Sequence, residues 1–362
     1  VYKRQGMDGT KGIRKISEAG GITVAQNPES TENSGMPQSA INTGLIDYQL
    51  PPSIIAANLE AIIARKFVPT AMKGDVVCTS DEALLQQVFN LIRIHIGHDF
   101  SNYKRNTINR RLNNRMNAHR LDNLNDYIVL LESSPNEVEI LYKELLIGVT
   151  SFFRDPEAFE QLENEIIPLI LEEKPTESTV RVWSAGCSTG EEAYSLAILF
   201  YECSKKLKRN FNIQIFATDI DAEAIAFARV GCYNSDIQLP MTTERFQRYF
   251  TSDDNGNTFR INKTIRDMLI FSEQSIIKDP PFSRIDFLAC RNLMIYLDNE
   301  LQKRIIPTFS YALLPKGILF LGNSESIGDN NEFLTVLDRK NKIYQRNYDP
   351  YESNISLPLR NA

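Results

Sequence analysis

Residues Val180 to Glu192 read V-R-V-W-S-A-G-C-S-T-G-E-E. Val180 to Trp183 are β-prone with apolar alternation, which predicts a short strand. Ser184, Ala185, Gly186, Ser188, Thr189 and Gly190 are all small. After Glu191 and Glu192, the run A-Y-S-L-A-I-L-F carries an apolar face at helical spacing. Strand, tight glycine turn and helix is the order a nucleotide-type ligand site needs. Gly186 and Gly190 would let backbone approach a ligand, and the helix start would offer unpaired N–H groups.

The turn lacks the G-x-G-x-x-G spacing of dinucleotide sites. Glu191 and Glu192 also stand where a pyrophosphate would need positive potential. Two carboxylates suit a cation better, and S-adenosylmethionine carries a sulfonium and an ammonium group. The other reading is a plain helix start, with Thr189 as cap and the glutamates favouring the dipole. The turn alone leaves both open.

The 362 residues are enough for two or three domains. Hydrophobic content of 42% and charged content of 24% are ordinary for a globular protein. A net charge of -6 gives no general case for nucleic-acid or anionic-membrane binding. No apolar run approaches the roughly 20 residues of a membrane span, and no signal peptide is visible. The five cysteines (78, 187, 203, 232 and 290) are scattered without C-x-x-C, as expected of reduced thiols in a cytoplasmic protein. Only three histidines are present, His95, His98 and His119, which argues against a histidine metal site or a Ser-His triad; no metal site is expected.

Outward from the turn, I-Q-I-F-A-T (213–218) reads as the next strand, ending at Asp219-Ile220-Asp221. An acid at the end of the second strand can bind ribose hydroxyls. Asp219 is the better placed for that, and Asp221 for capping the following helix. Residues 240–275 read as a small β-subdomain, with strands Thr258–Ile261 and Met268–Phe271 around D-D-N-G-N. D-P-P-F (279–282) precedes a buried strand, I-D-F-L-A-C, which ends at Arg291-Asn292. A helix over Asp298–Leu314 leads to the strand I-L-F-L-G, then N-S-E-S, and Lys342–Gln345 reads as a last edge strand.

Upstream, Asp81 to Leu146 is helical throughout, after a linker at 64–80. Between Phe100 and Arg120 lie six basic residues and no acidic one. On a helix Lys104, Arg111 and Arg115 share a face beside the apolar stripe Ile108, Leu112 and Met116. A basic run is often only a solvated face, but one without i,i+4 acids favours an acidic partner surface. T-S-F-F-R (150–154) reads either as a hinge with a phenylalanine anchor or as a lid over a cofactor.

From about Asp81 to Arg346 the chain resembles the CheR-type chemoreceptor methyltransferases. The residues that carry the resemblance are T-S-F-F-R-D, W-S-A-G-C-S-T-G-E-E, A-T-D-I-D, R-N-L-M-I-Y and L-P-K-G-I-L-F-L-G-N-S-E-S, in the family's order and spacing. Residues Gly6 to about Ile63 resemble the C-terminal end of a CheB-type methylesterase, with Asp8 on the position of its triad aspartate. The resemblance implies a piece of a fused CheB/CheR protein, cut at both ends. The implied fold class is α/β: a Rossmann-like S-adenosylmethionine-dependent methyltransferase sheet with an inserted β-subdomain, preceded by an all-α domain and a partial α/β fragment. The implied boundaries are 1–63 for the esterase fragment, 81–149 for the helical domain, 150–347 for the methyltransferase domain and 348–362 for a tail.

The implied activity is methyl transfer from S-adenosyl-L-methionine to glutamate side chains of a methyl-accepting chemoreceptor. It needs neither nucleic acid nor membrane insertion. Carried over by motif, Thr150, Arg154, Gly186, Gly190, Glu191 or Glu192, Asp219, Ser275, Ile276, Arg291 and Asn292 belong to the cofactor site. Ser275 and Ile276 fall where the family commonly has Asn-Leu, and Gly148 where some members have Asn. Lys104, Arg111 and Arg115 are the expected receptor-docking residues. The implied chemistry uses no residue as general base. Two rivals stand beside it: a catalytically idle sensory or scaffold module, and a nucleic-acid aminomethyltransferase suggested by D-P-P-F. In that class the motif follows the fourth strand, whereas here it precedes the strand at 285–290.

Overall fold

The computed structural model describes residues 22–31, 34–41, 48–57, 81–146, 148–234, 241–252, 258–328 and 332–347, with a few isolated positions besides. Asp8, the linker 64–80, the turn 253–257 and the tail 348–362 lie outside the described residues. The chain divides into two compact units, Val1–Leu145 and Leu146–Ala362.

In the first unit β1 (Val24–Gln26) and β2 (Tyr48–Leu50) pair in parallel. The helix α1 (Gly35–Ile41) lies between them in sequence and α2 (Pro52–Ala57) follows. Four helices come next: α3 (Asp81–Ile96), α4 (Arg105–Ala118), α5 (Leu124–Ser133) and α6 (Pro135–Leu145). The basic helix α4 is shorter than the 100–120 stretch its charge pattern suggests. Phe100 and Tyr103 are buried against His98 and Tyr142, with ring centroids 4.7–6.1 Å apart, which fixes a turn ahead of the helix. Lys104 therefore takes the N-cap position with an extended ψ of 123°. Ile108, Leu112 and Met116 form the buried stripe the sequence predicts.

Arg115 does have acidic partners, on another helix. Glu137, at the start of α6, accepts from Arg115 Nε at 2.9 Å and Nη2 at 2.6 Å, from Tyr127 Oη at 2.7 Å, and lies 2.9 Å from His119 Nε2. Glu144 pairs with Arg115 Nη1 at 3.2 Å. Burial pushes the Glu137 carboxyl up, but the bonds from Arg115 and Tyr127 outweigh it and hold the group below the ordinary carboxylate value.

The second unit is built on a seven-stranded sheet. Its strands are β3 (Thr179–Ala185), β4 (Asn212–Asp219), β8 (Leu269–Glu273), β9 (Ile285–Cys290), β10 (Leu313–Leu321), β11 (Leu334–Asp338) and β12 (Ile343–Arg346). The order across the sheet is β8-β4-β3-β9-β10-β12-β11. The pairs β4–β8, β3–β4, β3–β9 and β9–β10 are parallel, while β12 is antiparallel to both its neighbours. All six residues of β9 are buried, as a central parallel strand requires.

The helix α7 (Pro156–Gln161) passes through a one-turn π-bulge, Leu162–Ile166, into α8 (Ile167–Glu173). Pro168 cannot donate and crowds the carbonyl of Asn164, which the wider turn relieves. After β3, α9 (Glu191–Lys206) buries every residue from Ala193 to Phe200. The helix α10 (Ala222–Val230) follows β4, and α13 (Asn299–Ala312) joins β9 to β10.

The inserted β-subdomain is a three-stranded sheet of order β5-β7-β6, made of β5 (Cys232–Asn234), β6 (Phe250–Ser252) and β7 (Thr258–Ile261). It carries α11 (Thr243–Tyr249), and α12 (Lys263–Arg266) follows it. Two strand placements differ from the sequence reading. The segment read as Met268–Phe271 of the subdomain is β8, which pairs with β4 from Ile215↔Leu269 to Asp219↔Glu273 and extends the main sheet. The terminal strand Ile343–Arg346 is not the edge: β11 pairs outside it, and three of the five β11 residues are exposed. In L-T-V-L-D the apolar Val336 and Leu337 are adjacent and both exposed, so the run lacks the strict alternation that marks a half-buried strand.

Glu137→Ala should destabilise the protein by about 3 kcal/mol at pH 7, because it removes the buried partner of Arg115 and Tyr127 and leaves Arg115 the more exposed Glu144 as its counter-charge. The Glu137 pKa is lowered on folding, so its contribution is present above the unfolded carboxylate value of about 4.3. It is lost as pH falls below that value and through the lowered folded one. Urea unfolding of wild type and variant should show a gap at pH 7 that narrows toward pH 3.

Candidate cofactor site

The chain order reverses between β3 and β9: β4 and β8 lie beyond β3, and β10 lies beyond β9. In an open parallel sheet the crevice past the carboxyl ends of the strands at such a reversal is where ligands bind. The motifs singled out in the sequence converge there.

The glycine turn follows β3. Gly186 and Gly190 take φ of 74° and 95°, and Ser188 takes 48°. A Cβ on Gly190 would lie 2.9 Å from that of Ala228, so both conformation and space require glycine. The turn is held from below: the Gly186 and Cys187 amides donate to Thr218 O at 2.7 and 3.0 Å. Asp219 holds its outer side, Oδ2 accepting from the Ser188 amide at 2.7 Å and Oδ1 from the Asp221 amide at 3.0 Å. Burial raises the Asp219 pKa, opposed by these amides. Asp221 instead caps α10, its Oδ1 accepting from the Glu223 and Ala224 amides at 2.9 and 3.0 Å. Thr189 does not cap α9: its hydroxyl donates to Glu191 Oε2 at 2.7 Å, and Gly190 is the N-cap without a side-chain bond.

The two glutamates have different surroundings. Glu191 is tied to Thr189, whose carbonyl accepts from Tyr233 Oη of the β-subdomain at 2.7 Å. Glu192 turns to the strand ends, accepting from Ser184 Oγ at 3.3 Å and pairing with Arg291 at 3.2 Å. Burial raises the pKa of both, and Arg291 then Arg154 oppose it at Glu192.

Arg291 has a fully buried side chain. Besides Glu192 it binds Asp155 Oδ2 at 2.7 Å and the Arg154 carbonyl at 3.2 Å. Its guanidinium lies 4.5 Å from the Phe320 ring centroid and 5.5 Å from that of Phe159. Sequence reasoning put Arg291 in the floor of the site; the structure shows a guanidinium engaged by its own protein on both terminal nitrogens.

The T-S-F-F-R segment is anchored by its aromatics. Phe152 and Phe153 are buried, Phe152 edge-on to Tyr233 and Phe250, and Phe153 to Phe159. The Phe153 amide donates to Ser195 Oγ at 3.0 Å. Phe153 and Asp155 have φ of 47° and 61°, an unusual turn for such residues that sets the place of Arg154 between them. Arg154 donates to the Val149 carbonyl at 3.0 Å, and burial lowers its pKa. Ser188 Oγ donates to the Gly148 carbonyl at 3.2 Å, so this segment lies against the glycine turn; a Cβ on Gly148 would stand 3.0 Å from that hydroxyl. Thr150 is half-buried in it.

Ser275 follows β8 and is buried. Its hydroxyl accepts from the Ile277 and Lys278 amides at 3.3 Å, its amide donates to Asp279, and the Gln274 amide donates to Asp219 O at 2.9 Å. Ser275 and half-buried Ile276 thus stand at the strand end beside Asp219. Asn292 takes φ of 58° and donates its amide to Glu325. Sequence reasoning missed Asp155, Ser195 and Glu325. The last stands in the quoted N-S-E-S, an acid among small residues after a buried strand, which was the available signal.

Residues 148–343 match the family described as CheR methyltransferase, SAM binding domain, and residues 83–146 its all-alpha domain. The chain belongs to the CheR methyltransferase family. Residues 4–59 match CheB methylesterase, in the N-to-C order of a CheB/CheR-type fusion. An uncharacterized 104.1 kDa protein of Rhodobacter capsulatus is 33% identical over 95% of this chain, which spans 38% of that protein. A chemotaxis protein methyltransferase of Borreliella burgdorferi is 31% identical over 72% of this chain and 93% of its own length. That of Salmonella typhimurium is 30% identical over 68% and 85%. The second unit is therefore an S-adenosylmethionine-dependent methyltransferase domain, and the CheR chain's cofactor is S-adenosylmethionine. The donor set fits it: Asp219 and Glu192 offer anionic oxygens to a cationic, ribose-bearing molecule, and Arg154 offers a cation to its carboxylate.

Arg291→Met should cost about 3 kcal/mol of stability, since it takes the fully buried cation from the partly buried Glu192 and Asp155. Denaturant unfolding at pH 7 measures the loss.

Proposed function

We propose that this CheR-family protein transfers a methyl group from S-adenosylmethionine to glutamate side chains of a methyl-accepting chemoreceptor or receptor-like signalling protein. The observation that carries the reading is the acidic seat at the sheet's reversal, where Glu192 and Asp219 stand with Arg154. The names of the Borreliella and Salmonella relatives support the chemotactic substrate.

S-adenosylmethionine supplies an electrophilic methyl. In this reading Asp219 holds the ribose hydroxyls, Glu192 the ammonium group, and Arg154 the carboxylate, with Thr150 beside it. Gly186 and Gly190 allow close backbone approach, and Ser275 and Ile276 flank the adenine. Glu191 supports the turn, Arg291 orients Glu192 rather than touching the cofactor, and the Asn292 backbone borders the seat. A glutamate carboxylate is ionised at neutral pH, with an ordinary pKa near 4.3, so no general base is needed. The receptor carboxylate would accept the methyl in line to give a methyl ester, and S-adenosylhomocysteine would leave. The protein's task is alignment and exclusion of water.

The other readings have less support. An idle scaffold would not need so many buried charges at one strand end. The D-P-P-F motif serves packing: Phe282 stacks on Phe216 at 4.6 Å and meets Trp183 edge-on at 5.3 Å, and it precedes β9, whereas Arg291 follows it. For the methylesterase, residues 1–80 contain no histidine to act with Asp8, so a polypeptide of these 362 residues should release no methanol from methylated receptor above background. No helix among the described residues is long and apolar enough to cross a membrane. A cytoplasmic site of action, where receptor signalling helices lie, completes the proposal.

The reading predicts that label from S-adenosylmethionine appears on receptor as a base-labile methyl ester. Asp219→Ala should weaken S-adenosylhomocysteine binding by about 1.5–3 kcal/mol, the range for hydrogen bonds to a charged group. Label that survives base would count against a carboxyl ester.

Receptor docking rests on α4. Arg115 is committed to Glu137 and Glu144, so the docking proposal is carried first by exposed Lys104, with half-buried Arg111 farther along the same face. Reversing both to Glu should lower receptor methylation at low salt and flatten its salt dependence, while sparing cofactor binding. Unchanged methylation would move docking elsewhere.

A further inference from the structure

Glu325 is 4% exposed, and among the described residues its carboxylate accepts from backbone amides. Oε2 takes the Gly322 amide at 2.7 Å and the Asn292 amide at 3.0 Å, while Oε1 takes those of Leu293 at 2.9 Å and Ile295 at 3.3 Å. The Glu325 amide donates to the Gly322 carbonyl at 2.9 Å, so G-N-S-E is a turn that folds the acid back onto its own first residue. A Cβ on Gly322 would lie 2.8 Å from both Glu325 Oε2 and the Asn292 nitrogen, so only glycine admits the carboxylate.

Burying an anion costs stability unless its bonds answer it, and three of these four, from Asn292, Leu293 and Ile295, act on the loop after β9. That loop reaches the seat on two sides. Before Asn292, Arg291 pairs with Glu192 and Asp155. After it, the Leu293 side chain packs on Gly186, where a Cβ would come within 2.8 Å of Leu293 Cδ2. Asn292 itself is held at φ of 58° between them.

We propose that Glu325 is a positioning residue for methyl transfer: by clamping the amides of Asn292, Leu293 and Ile295 it presses Leu293 onto the glycine turn and sets Arg291 to orient Glu192. This rests on the functional reading above. Glu325 touches neither cofactor nor receptor, and it acts through the loop.

The test uses calorimetric titration with S-adenosylhomocysteine, and methyl-transfer kinetics, on Glu325→Gln protein whose fold is checked by circular dichroism. The amide keeps the size of the side chain but points an NH2 group at backbone donors. The Kd should rise about tenfold or more, and kcat should fall, as expected for site groups displaced by on the order of 1 Å, while KM for receptor holds. Asp286→Asn is the control. Asp286 is buried at the other end of β9, where it accepts from the Arg181 amide at 2.8 Å and pairs with Lys174 at 2.9 Å. It should lower the unfolding midpoint yet leave the Kd within about twofold. If Glu325→Gln does not fold, Leu293→Ala decides, and it too should raise the Kd. Wild-type affinity in folded Glu325→Gln, or in Leu293→Ala, would overturn the proposal alone. Absence of binding by wild type would overturn the functional reading and the proposal with it.

Discussion

A guanidinium with no access to water must find its counter-charges inside the protein, and Arg291 finds them in Glu192 and Asp155. Those acids belong to the first turn of α9 and to the turn that leaves T-S-F-F-R. One buried cation at the end of β9 therefore fixes the relative placement of three segments that are distant in sequence. The Phe320 and Phe159 rings pack on the same cation. Without it the acids would be like charges in a dry crevice. With it, Glu192 is held in place at the strand ends between Arg291 and Ser184.

The second tie is between the β-subdomain and the same turn. Arg245 of α11 pairs with Glu202 at 2.6 Å and with Glu163 in the π-bulge, and its guanidinium lies 5.2 Å from the Phe153 ring centroid. Phe152 packs between Tyr233 and Phe250. The left-handed backbone at Phe153 and Asp155 is thus held from both sides, by an aromatic cluster and by half-buried ion pairs. Strain of this kind persists only where the surroundings over-determine it.

Much of this arrangement was legible in the residues. The strand, glycine turn and helix at 180–199 follow from alternation, small residues and helical spacing, and Asp219 and Asp221 divide their roles as strand-end acid and helix cap. What escaped depends on partners far along the chain. Arg115 finds Glu137 22 residues away, and Arg291 finds Asp155 136 residues away, separations at which no local period exists. The separation of Glu191 from Glu192 needed the helix to be placed, since neighbours on a helix differ by 100°. The segment read as Met268–Phe271 of the subdomain belongs to the main sheet as Leu269–Glu273, because a short strand carries no record of which edge it will join.

The central claim is that the Arg291-oriented Glu192, with Asp219, forms the cofactor seat, while Glu191 serves the turn. Parallel titrations of S-adenosylhomocysteine into Glu192→Gln and Glu191→Gln proteins test it most directly. The account predicts single-site binding by wild type, a loss of affinity of about tenfold or more in Glu192→Gln and a clearly smaller loss in Glu191→Gln, on the scale of a hydrogen bond to a charged group. Retained affinity in folded Glu192→Gln, with the loss falling on Glu191→Gln, would contradict it.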